Sequence, residues 1–430
     1  MTNKREKFGF ETRSVHAGTP PEPITGARNM PIFQTTAYVF EDVDQAASLF
    51  NLQTFGYIYS RLTNPTVAAL EERVASLEGG RGTVAVASGH AAQLILFHTI
   101  MEPGDHFVAS NNLYGGSITQ FTHAFAKFDW RSTLVDPRDP ENIRKALRPE
   151  SKAVFIENPA NPAGIVVDIS AIADIAHDVG LPLIVDSTLA TPYLCRPFEW
   201  GADLVVHSMT KFLGGHGTSM GGAVVESGKF DWSANPKFKA MVEPDPAYHG
   251  IRFHETFGDF GFTMKARAVG LRDLGPTLSP MNAFLILTGI ETLPLRMQRH
   301  VENAQKVATF LDAHDAVNWV SYPGLKASPY YDLAQKYMPL GAGSVFTFGV
   351  KGGYEAGIKV VEACNLFSHL ANVGDTRSLI LHPASTTHRQ LEEDQRIAAG
   401  AGPDVVRLSI GIETPEDLIA DLEQALEAAR

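Results

Sequence analysis

Two polar segments in the middle of the chain follow apolar, strand-like runs and carry side chains capable of chemistry. The run at residues 204–206 leads into a segment that ends at Lys211, and the run at residues 183–185 is followed directly by Asp186. Ligands of open α/β sheets bind at the carboxyl ends of strands, so both residues are candidates for a site. A lysine that emerges from buried surface is suited to a lowered pKa and to amine nucleophilic chemistry. A carboxylate there is partly desolvated and needs a cationic partner.

A third segment predicts a phosphate site. Residues 84–87 form another strand-like run, and Ser88, Gly89 and His90 follow it where a helix is predicted to begin. The free N–H groups and the dipole of a helix N-terminus favour a bound phosphate. An amine that can face an aldehyde, an acid that can face a ring nitrogen and a phosphate cradle together describe a site for pyridoxal phosphate.

Each of these segments also has an ordinary structural interpretation. Taken alone, Asp186 is typical of a helix cap or a surface residue, and Lys211 is typical of a solvated side chain. The glycine-rich residues 214–217 are compatible with a flexible turn, and they lack the Gly-Lys-Ser/Thr ending of a nucleotide P-loop. A non-catalytic α/β protein that binds a ligand such as a nucleotide therefore stays open as an alternative. The position of all three segments after apolar strand runs favours catalysis.

The elements that must position these residues are predicted from short apolar runs that alternate with helical periodicity. Further strand-like runs lie at residues 106–109 and 153–156, and helical patterns such as 91–101 and 169–179 lie between the runs. Strands that alternate with helices pair in parallel through right-handed crossovers. We therefore expect an α/β fold with a mostly parallel central sheet that is covered on both faces.

Changes in pattern divide the 430-residue chain into expected domains. Residues 1–63 are rich in proline and aromatic residues, and they are expected to form an extended arm. Residues 64–300 are expected to form the large domain, with an insertion at about 231–275 that is a candidate cover for a site or an interface. A long helical pattern begins near Met281 and continues beyond Ala304. Residues 301–430 are expected to form a smaller C-terminal α+β domain.

Composition argues against several classes of protein. The chain has 36 Lys and Arg against 48 Asp and Glu, a net charge of -12, which disfavours binding to nucleic acid or an anionic membrane. It has two cysteines, Cys195 and Cys364, and no apolar run of the roughly 18 residues that a membrane helix needs, so we expect a cytoplasmic protein. His207, His216 and His382 lack metal-ligand spacing, and no metal site is expected.

Residues 203–217, with the sequence DLVVHSMTKFLGGHG, resemble the lysine signature of the Cys/Met-metabolism enzymes, which depend on pyridoxal phosphate. The resemblance covers nearly the whole chain. It implies the aspartate-aminotransferase-like fold, fold type I of these enzymes, with a mostly parallel central sheet and a smaller C-terminal α+β domain. Met209 departs from the family pattern, in which a small residue is more usual, and His90 stands where Met or Gln is frequent.

The resemblance assigns roles to residues of the cofactor site. Lys211 would form the Schiff base and then move protons, Asp186 would keep the ring nitrogen protonated, and Tyr114 would stack on the ring near the departing group. Asn161 would approach the 3′ oxygen of the ring. The other expected cofactor contacts, mainly with the phosphate, are Ser88, Gly89, His90, Thr188, Ser208 and Thr210.

The resemblance also implies a substrate subsite and a shared active site. Arg407 resembles the arginine that holds the substrate carboxylate in a bidentate pair, and Ser378 would assist it. Residues 57–61 resemble an arm that donates Tyr59 and Arg61 to the cofactor phosphate of a neighbouring subunit, and Tyr59 would also contact substrate. A homo-oligomer of at least two chains is therefore implied, and the family pattern favours a tetramer.

Several features resemble the sulfhydrylase branch of that family. Residues 248–267 look like a segment that shorter lyases lack, Gly116 stands where methionine γ-lyases have a cysteine, and similar stretches occur at 214–222, 278–284 and 368–375. The implied reaction converts O-acetyl-L-homoserine and sulfide to L-homocysteine and acetate. Two alternatives stay open: O-acetylserine as a substrate that yields cysteine, and a γ-lyase that uses the same residues but releases a 2-oxo acid, ammonia and a thiol.

Overall fold

The computed structural model describes residues 8–430, except residues 388, 390–391, 393–395 and 398–399. Residues 1–7, the start of the predicted arm, lie outside the described residues. The described part of the chain forms two β-sheets that are covered by helices. Within that part, no helix is both long enough and apolar enough to cross a membrane.

The central sheet has seven strands, which are β1 (Gly82–Val86), β2 (His106–Ser110), β3 (Arg131–Val135), β4 (Ser151–Glu157), β5 (Leu183–Asp186), β6 (Leu204–Ser208) and β7 (Gly222–Glu226). Their order across the sheet is β1-β7-β6-β5-β4-β2-β3. Strand β7 runs antiparallel to both of its neighbours, and the other adjacent strands are parallel. The prediction of an α/β fold with a mostly parallel central sheet is confirmed.

The smaller sheet has five strands, which are β8 (Val317–Ser321), β9 (Val345–Val350), β10 (Ser368–His369), β11 (Leu379–Leu381) and β12 (Val405–Ser409). Their order is β10-β11-β12-β9-β8. All the pairs are antiparallel except β10 with β11. This sheet and the helices around it form the expected α+β portion of the chain.

The helices surround both sheets and connect their strands. They are α1 (Phe10–His16), α2 (Val43–Phe50), α3 (Pro65–Glu78), α4 (Gly89–Ile100), α5 (Gly115–Thr119), α6 (Glu141–Ala146), α7 (Ile169–Asp178), α8 (Thr191–Leu194), α9 (Lys239–Val242), α10 (Phe253–Phe257), α11 (Gly261–Lys265), α12 (Arg272–Leu274), α13 (Pro280–Glu291), α14 (Leu293–Asp312), α15 (Tyr331–Tyr337), α16 (Gly353–Ala363) and α17 (Pro415–Ala428). Wide or tight helical turns extend or link some of them at Gln120–Ala124, Phe125–Phe128, Pro197–Trp200, Pro246–Tyr248, Gly258–Phe260, Ala266–Leu271 and Pro383–Ser385.

The expected long helix from Met281 beyond Ala304 is two helices. Helix α13 ends at Glu291 and α14 begins at Leu293, with Thr292 between them. Pro294 causes the break, because it has no N–H to continue the first helix and is tolerated in the first turn of the second. The expected domain boundary near residue 300 falls inside α14, and the division of the chain into domains stays a prediction.

The central sheet is buried on both faces by two apolar clusters. Alternate residues of a strand belong to opposite clusters, as with Val185 in the larger cluster and Ile184 in the smaller one. The expected insertion at residues 231–275 supplies Trp232, Phe253 and other aromatic side chains to the smaller cluster. This segment is thus part of the covering layer of the sheet. Its residues, all of which are described, do not line the cavity that holds the candidate site.

Candidate active site

A cavity of about 220 Å³ lies at the carboxyl ends of the parallel strands. Segments that are distant in the chain meet there because parallel strands all end at the same edge of the sheet. Most of the residues expected at the site line this cavity, namely Ser88, Gly89, His90, Tyr114, Asn161, Asp186, Thr188, Ser208, Thr210, Lys211 and Arg407.

Lys211 follows strand β6 and has its amine inside the cavity. Burial lowers the pKa of Lys211 to about 8, and the nearby Arg407 guanidinium contributes to the same shift. The Nζ atom donates to Asn372 Oδ1 at 2.6 Å. Near neutral pH a useful fraction of this amine is therefore unprotonated, as a nucleophilic lysine requires.

Asp186 is the last residue of β5, and Thr188 holds its carboxylate. The backbone N–H and the hydroxyl of Thr188 both donate to Asp186 Oδ1, at 3.0 and 2.6 Å. The same hydroxyl oxygen accepts from the Ser208 N–H at 2.8 Å, which links Asp186 to the segment that precedes Lys211. Burial raises the pKa of Asp186, whereas the Thr188 hydrogen bonds oppose the rise. A protonated ring nitrogen would supply the cation that this buried acid needs.

The N-terminus of helix α4 forms one wall of the cavity with the segment after β6. Ser88 caps the helix, since its Oγ accepts from the Ala91 N–H at 3.2 Å. A Cβ atom at Gly89 would lie 2.8 Å from the Ser208 Cβ, so the two segments can approach only with glycine there. The helix N–H groups and the hydroxyls of Ser208 and Thr210 supply donors suited to a phosphate.

Tyr114 and His90 stand side by side above the cavity. Their ring centroids are 5.7 Å apart and the rings meet edge to face. A Cβ atom at Gly116 would lie 2.5 Å from Tyr114 Cε1 and 2.9 Å from His90 Cε1. The absence of a side chain at residue 116 therefore permits the present position of the Tyr114 ring.

Arg407 reaches the cavity from strand β12 of the smaller sheet. Its Nη2 donates to the Asn372 carbonyl at 3.0 Å, and its Nη1 lies 3.5 Å from Asn161 Oδ1. Burial lowers the pKa of Arg407 to about 10, which still leaves it a cation at neutral pH. A buried guanidinium with a fork of donors is suited to bind a substrate carboxylate.

Three residues that the sequence placed at the site lie elsewhere in this chain. Ser378 is fully buried, its Oγ donates to Glu413 Oε2 at 2.9 Å, and it accepts from the Gly411 N–H at 2.8 Å. The structure thus gives the Ser378 hydroxyl a contact within the smaller sheet region and does not bring it to the cavity. Tyr59 is 44% exposed, and the Arg61 guanidinium lies 5.7 Å from its ring centroid, outside the cavity. Their expected contribution to a neighbouring subunit stays a prediction.

Glu157 is the clearest residue of the cavity that the sequence interpretation missed. It ends β4, and it lies opposite Asp186 in the register of β4 with β5. Its carboxylate accepts from the N–H groups of Tyr114 and Asn161. Burial, with the adjacent charge of Asp186, raises the pKa of Glu157 well above its ordinary value. The available signal was its place directly after the apolar run 153–156, the same relation that singled out Asp186.

Asn372 and Gln93 were also missed. Asn372 lies in the 368–375 stretch that carried part of the resemblance, and it contacts both Lys211 and Arg407. Gln93 belongs to helix α4, lines the cavity, and donates through Nε2 to Ser117 Oγ at 2.9 Å. No local pattern distinguishes either residue from an ordinary loop amide or helix glutamine, because their importance comes from distant partners.

These residues fit pyridoxal phosphate in chemical type. A desolvated lysine amine, a buried acid and a helix N-terminus with neighbouring hydroxyls surround one cavity, and each matches a different functional group of the cofactor. The fold and this donor set define the class of the protein: a pyridoxal-phosphate-dependent enzyme of the aspartate-aminotransferase-like fold.

The comparison with protein families agrees with this class. The model of the Cys/Met metabolism PLP-dependent enzyme family matches residues 11–427, and the chain belongs to that family. It is 50% identical to the O-acetyl-L-homoserine sulfhydrylase of Leptospira meyeri, over 98% of this chain and 97% of the relative. It is 48% identical to O-acetyl-L-homoserine sulfhydrylase 1 of Thermus thermophilus, over 97% of this chain and 99% of the relative.

Solved structures show the same fold. A crystal structure described as an O-acetylhomoserine (thiol)-lyase from Campylobacter jejuni superposes with a TM-score of 0.95 at 41% identity, covering 98% of this chain and all of that one. That structure carries N'-pyridoxyl-lysine-5'-monophosphate. The structure of metB from Corynebacterium glutamicum superposes with a TM-score of 0.84 at 35% identity, covering 99% of this chain.

Proposed function

We propose that this enzyme transfers the aminocarboxypropyl group of O-acetyl-L-homoserine to sulfide, giving L-homocysteine and acetate. The observation that carries the proposal is the convergence of Lys211, Asp186 and Arg407 on one buried cavity, in a chain that is 50% identical to a relative named for this activity. A further relative, 46% identical over 99% of this chain, is named homocysteine synthase.

Substrate binding depends on Arg407 in this proposal. Its guanidinium pairs with the α-carboxylate and fixes the amino acid with its Cα near the Lys211 amine. The low exposure of Arg407 strengthens this pair, because few waters compete for the charges. Tyr114 lines the same cavity, and its family resemblance would place it near the departing acetate.

Lys211 moves the protons. Pyridoxal phosphate, when bound, supplies an electron sink that makes the Cα and Cβ protons of the substrate acidic. The Lys211 amine would take the proton from Cα, pass it on, and then take one from Cβ, so that acetate leaves Cγ with the bonding electron pair. Hydrosulfide would then add at Cγ, and Lys211 would return one proton to Cβ and one to Cα. Asp186 would hold the ring nitrogen of bound cofactor protonated, and a pKa of about 8 allows Lys211 both to accept and to return protons.

Two neighbouring activities use the same residues. A γ-lyase would hydrolyse the unsaturated product of acetate loss to 2-oxobutyrate and ammonia, whereas the proposed enzyme captures it with sulfide. O-Acetylserine would need only one proton removal from carbon and would yield cysteine. The relatives named for O-acetyl-L-homoserine favour the proposed substrate over both.

The direct test incubates the purified protein with pyridoxal phosphate and O-acetyl-L-homoserine, with and without sulfide, and measures homocysteine, ammonia and 2-oxobutyrate together. Homocysteine that forms only with sulfide, with little ammonia, supports the proposal. Ammonia and 2-oxobutyrate formed at the same rate in both samples would replace it with the lyase. A parallel series with O-acetyl-L-serine compares kcat/KM for the two acyl substrates, and Lys211→Ala serves as the inactive control.

We further propose that the enzyme is a homo-oligomer, specifically a tetramer built from two dimers with shared active sites, and that it is located in the cytoplasm. Support for association comes from the arm, where Val39, Val43 and Phe55 are 99%, 83% and 78% exposed. An apolar surface of this kind is typical of an interface. The cytoplasmic location is supported by the two cysteines, both of which are free thiols.

A further inference from the structure

We propose that Glu157 is a positioning residue that fixes Tyr114 and Asn161 against the cofactor through their backbone N–H groups. The inference rests on the roles given to Tyr114 and Asn161 in the proposed function. It extends that function by assigning their placement to a single buried carboxylate.

The geometry of Glu157 is that of a bridge between two connections. Its Oε2 accepts from the Tyr114 N–H at 2.7 Å, and its Oε1 accepts from the Asn161 N–H at 2.8 Å. Tyr114 immediately precedes helix α5, and Asn161 lies in the connection after β4. Both residues therefore lie outside the strands and are held to the end of β4 by the same side chain.

Glu157 accepts from two backbone N–H groups, those of Tyr114 and Asn161, that need an acceptor from outside their own segments. Tyr114 stands at the N-cap position of α5 and makes no side-chain capping bond there. Asn161 is 8% exposed, so its N–H has little access to water and needs a protein acceptor. Without Glu157, both N–H groups would lose their hydrogen-bond acceptor next to the cavity, where the Tyr114 ring and the Asn161 amide must be positioned accurately.

A glutamate is chemically required for both contacts. Two donors face the side chain, and only a carboxylate offers an acceptor oxygen to each of them. A glutamine in the same rotamer would accept from one N–H and turn its own NH₂ against the other. Burial of a second carboxyl group beside Asp186 is unfavourable by itself, and the two hydrogen bonds from backbone N–H groups oppose that cost in part.

The effect of Glu157 also extends to the substrate side of the cavity. The Asn161 side-chain oxygen lies 3.5 Å from Nη1 of Arg407. Displacement of Asn161 would thus weaken its own contact with the cofactor ring. It would also remove a contact that helps to position the Arg407 guanidinium, which binds the substrate carboxylate. Both oxygens of Glu157 already accept from backbone N–H groups, and the role inferred for it is therefore positioning.

Glu157→Gln is the test variant, and Glu226→Gln is its matched control. Glu226 ends β7, is equally buried, and accepts from the N–H groups of Phe262 and Thr263 at 3.2 and 2.9 Å, away from the cavity. Both substitutions replace one carboxyl oxygen by an NH₂ group and keep the size of the side chain. The first measurement is amide hydrogen exchange of the protein without cofactor, resolved to single residues.

The expected result is faster exchange at Tyr114, Asn161 or both in Glu157→Gln, by about tenfold or more, as loss of a buried hydrogen bond predicts. The Kd of this variant for pyridoxal phosphate should be about tenfold or more above that of the wild type, and the visible absorption of the bound cofactor should shift. Glu226→Gln should speed exchange at Phe262 or Thr263 and leave the cofactor Kd and spectrum as in the wild type.

Unchanged exchange at both Tyr114 and Asn161 in Glu157→Gln would overturn the inference. Faster exchange with an unchanged cofactor Kd and spectrum would also overturn it, because Glu157 would then serve structure alone. If Glu157→Gln does not fold, rapid exchange of both amides in the folded wild type would refute the bridge, and slow exchange would support it. None of these measurements uses sulfide or an acylated amino acid, so they remain decisive if the proposed reaction fails.

Discussion

At the scale of single residues, the chemistry of Lys211 is determined by what surrounds its amine. Burial is the larger cause of its lowered pKa, and the Arg407 cation adds to it. The Lys211 Nζ atom donates a hydrogen bond to Asn372 Oδ1 at 2.6 Å, and this bond fixes the direction of the amine. The same environment that lowers the pKa therefore also directs the amine into the cavity.

The pH dependence of cofactor capture follows from this pKa. Only the unprotonated amine attacks the aldehyde, so the rate at which the cofactor-free protein binds pyridoxal phosphate covalently should rise with pH and level off above about 8. Stopped-flow absorbance across a pH series measures this rate. A rate that continued to rise to the ordinary lysine pKa of about 10.4 would show that Lys211 is not desolvated as the structure indicates.

Gly116 gives a second residue-scale prediction. Gly116→Ala would place a methyl group 2.5 Å from Tyr114 Cε1, and the half-exposed Tyr114 ring can relieve this only by moving away. We expect kcat to fall by about tenfold to a hundredfold, since small misplacements at a reacting centre have effects of that size. Steady-state kinetics with O-acetyl-L-homoserine and sulfide provide the measurement.

The matched control for that substitution is Gly402→Ala. A Cβ atom there would meet its nearest neighbour at 3.5 Å, an ordinary contact, so activity should stay near the wild-type value. Equal activity of Gly116→Ala and Gly402→Ala would mean that the position of the Tyr114 ring is not limiting.

At the scale of elements, Arg267 joins three parts of the chain. Its guanidinium donates to Glu71 of α3 at 2.8 Å, to the Thr83 carbonyl of β1 at 3.1 Å, and to the Leu62 carbonyl at the end of the arm at 3.0 Å. Glu71 in turn accepts from the Ala85 N–H at 2.8 Å. The segment expected to be an insertion thus fixes α3 and the arm to the edge of the central sheet.

Arg267→Gln should destabilise the fold by about 3 kcal/mol, because it leaves the buried Glu71 carboxylate without its cation. Burial already raises the pKa of Glu71, and loss of Arg267 removes the main opposing influence. A Glu71 whose folded pKa lies above its unfolded pKa destabilises the fold most when ionised. The loss in free energy of unfolding caused by Arg267→Gln should therefore become smaller as pH falls from about 8 towards about 5.

Chemical denaturation at several pH values measures the free energy of unfolding for this comparison. Arg81→Gln is the control, since the Arg81–Asp259 pair is about half exposed on both sides and should contribute little. If Arg267→Gln lowers the free energy of unfolding no more than Arg81→Gln does, the role assigned to the buried Arg267–Glu71 pair is contradicted.

At the scale of the whole molecule, the proposed shared site would make a single chain incomplete. Tyr59 and Arg61 carry the expected phosphate contacts, yet they lie outside the cavity of their own chain. Donation to a neighbouring chain accounts for both facts, because a symmetric dimer would place each arm at the other's site.

Mixing two inactive variants tests this arrangement. Lys211→Ala and Arg61→Ala should each be nearly inactive, and unfolding and refolding them together should restore about a quarter of the sites, as random pairing of a symmetric dimer predicts. Activity and mass by light scattering report the result. A fully active monomer, or a mixture no more active than its components, would rule out shared sites.

Much of the fold and of the site could be predicted from local sequence. The sequence predicts Lys211 and Asp186 as site residues because each follows an apolar strand run. In a parallel sheet, the residues that follow the carboxyl end of a strand lie at the edge where ligands bind. The short strand β10 and the break at Thr292 were not found, since a two-residue strand and one proline in a helical pattern give weak periodic signals.

The sequence by itself determined the parallel α/β sheet, the class of cofactor and the residues that directly follow its strands, because these depend on patterns within a few residues. Only the tertiary structure decided which polar groups meet across the chain. It joined Glu157 to Tyr114 and Asn161, and Asn372 to Lys211, and it directed Ser378 to Glu413. A hydrogen bond between distant residues depends on how strands and connections pack, and a short stretch of sequence carries no record of its distant partners.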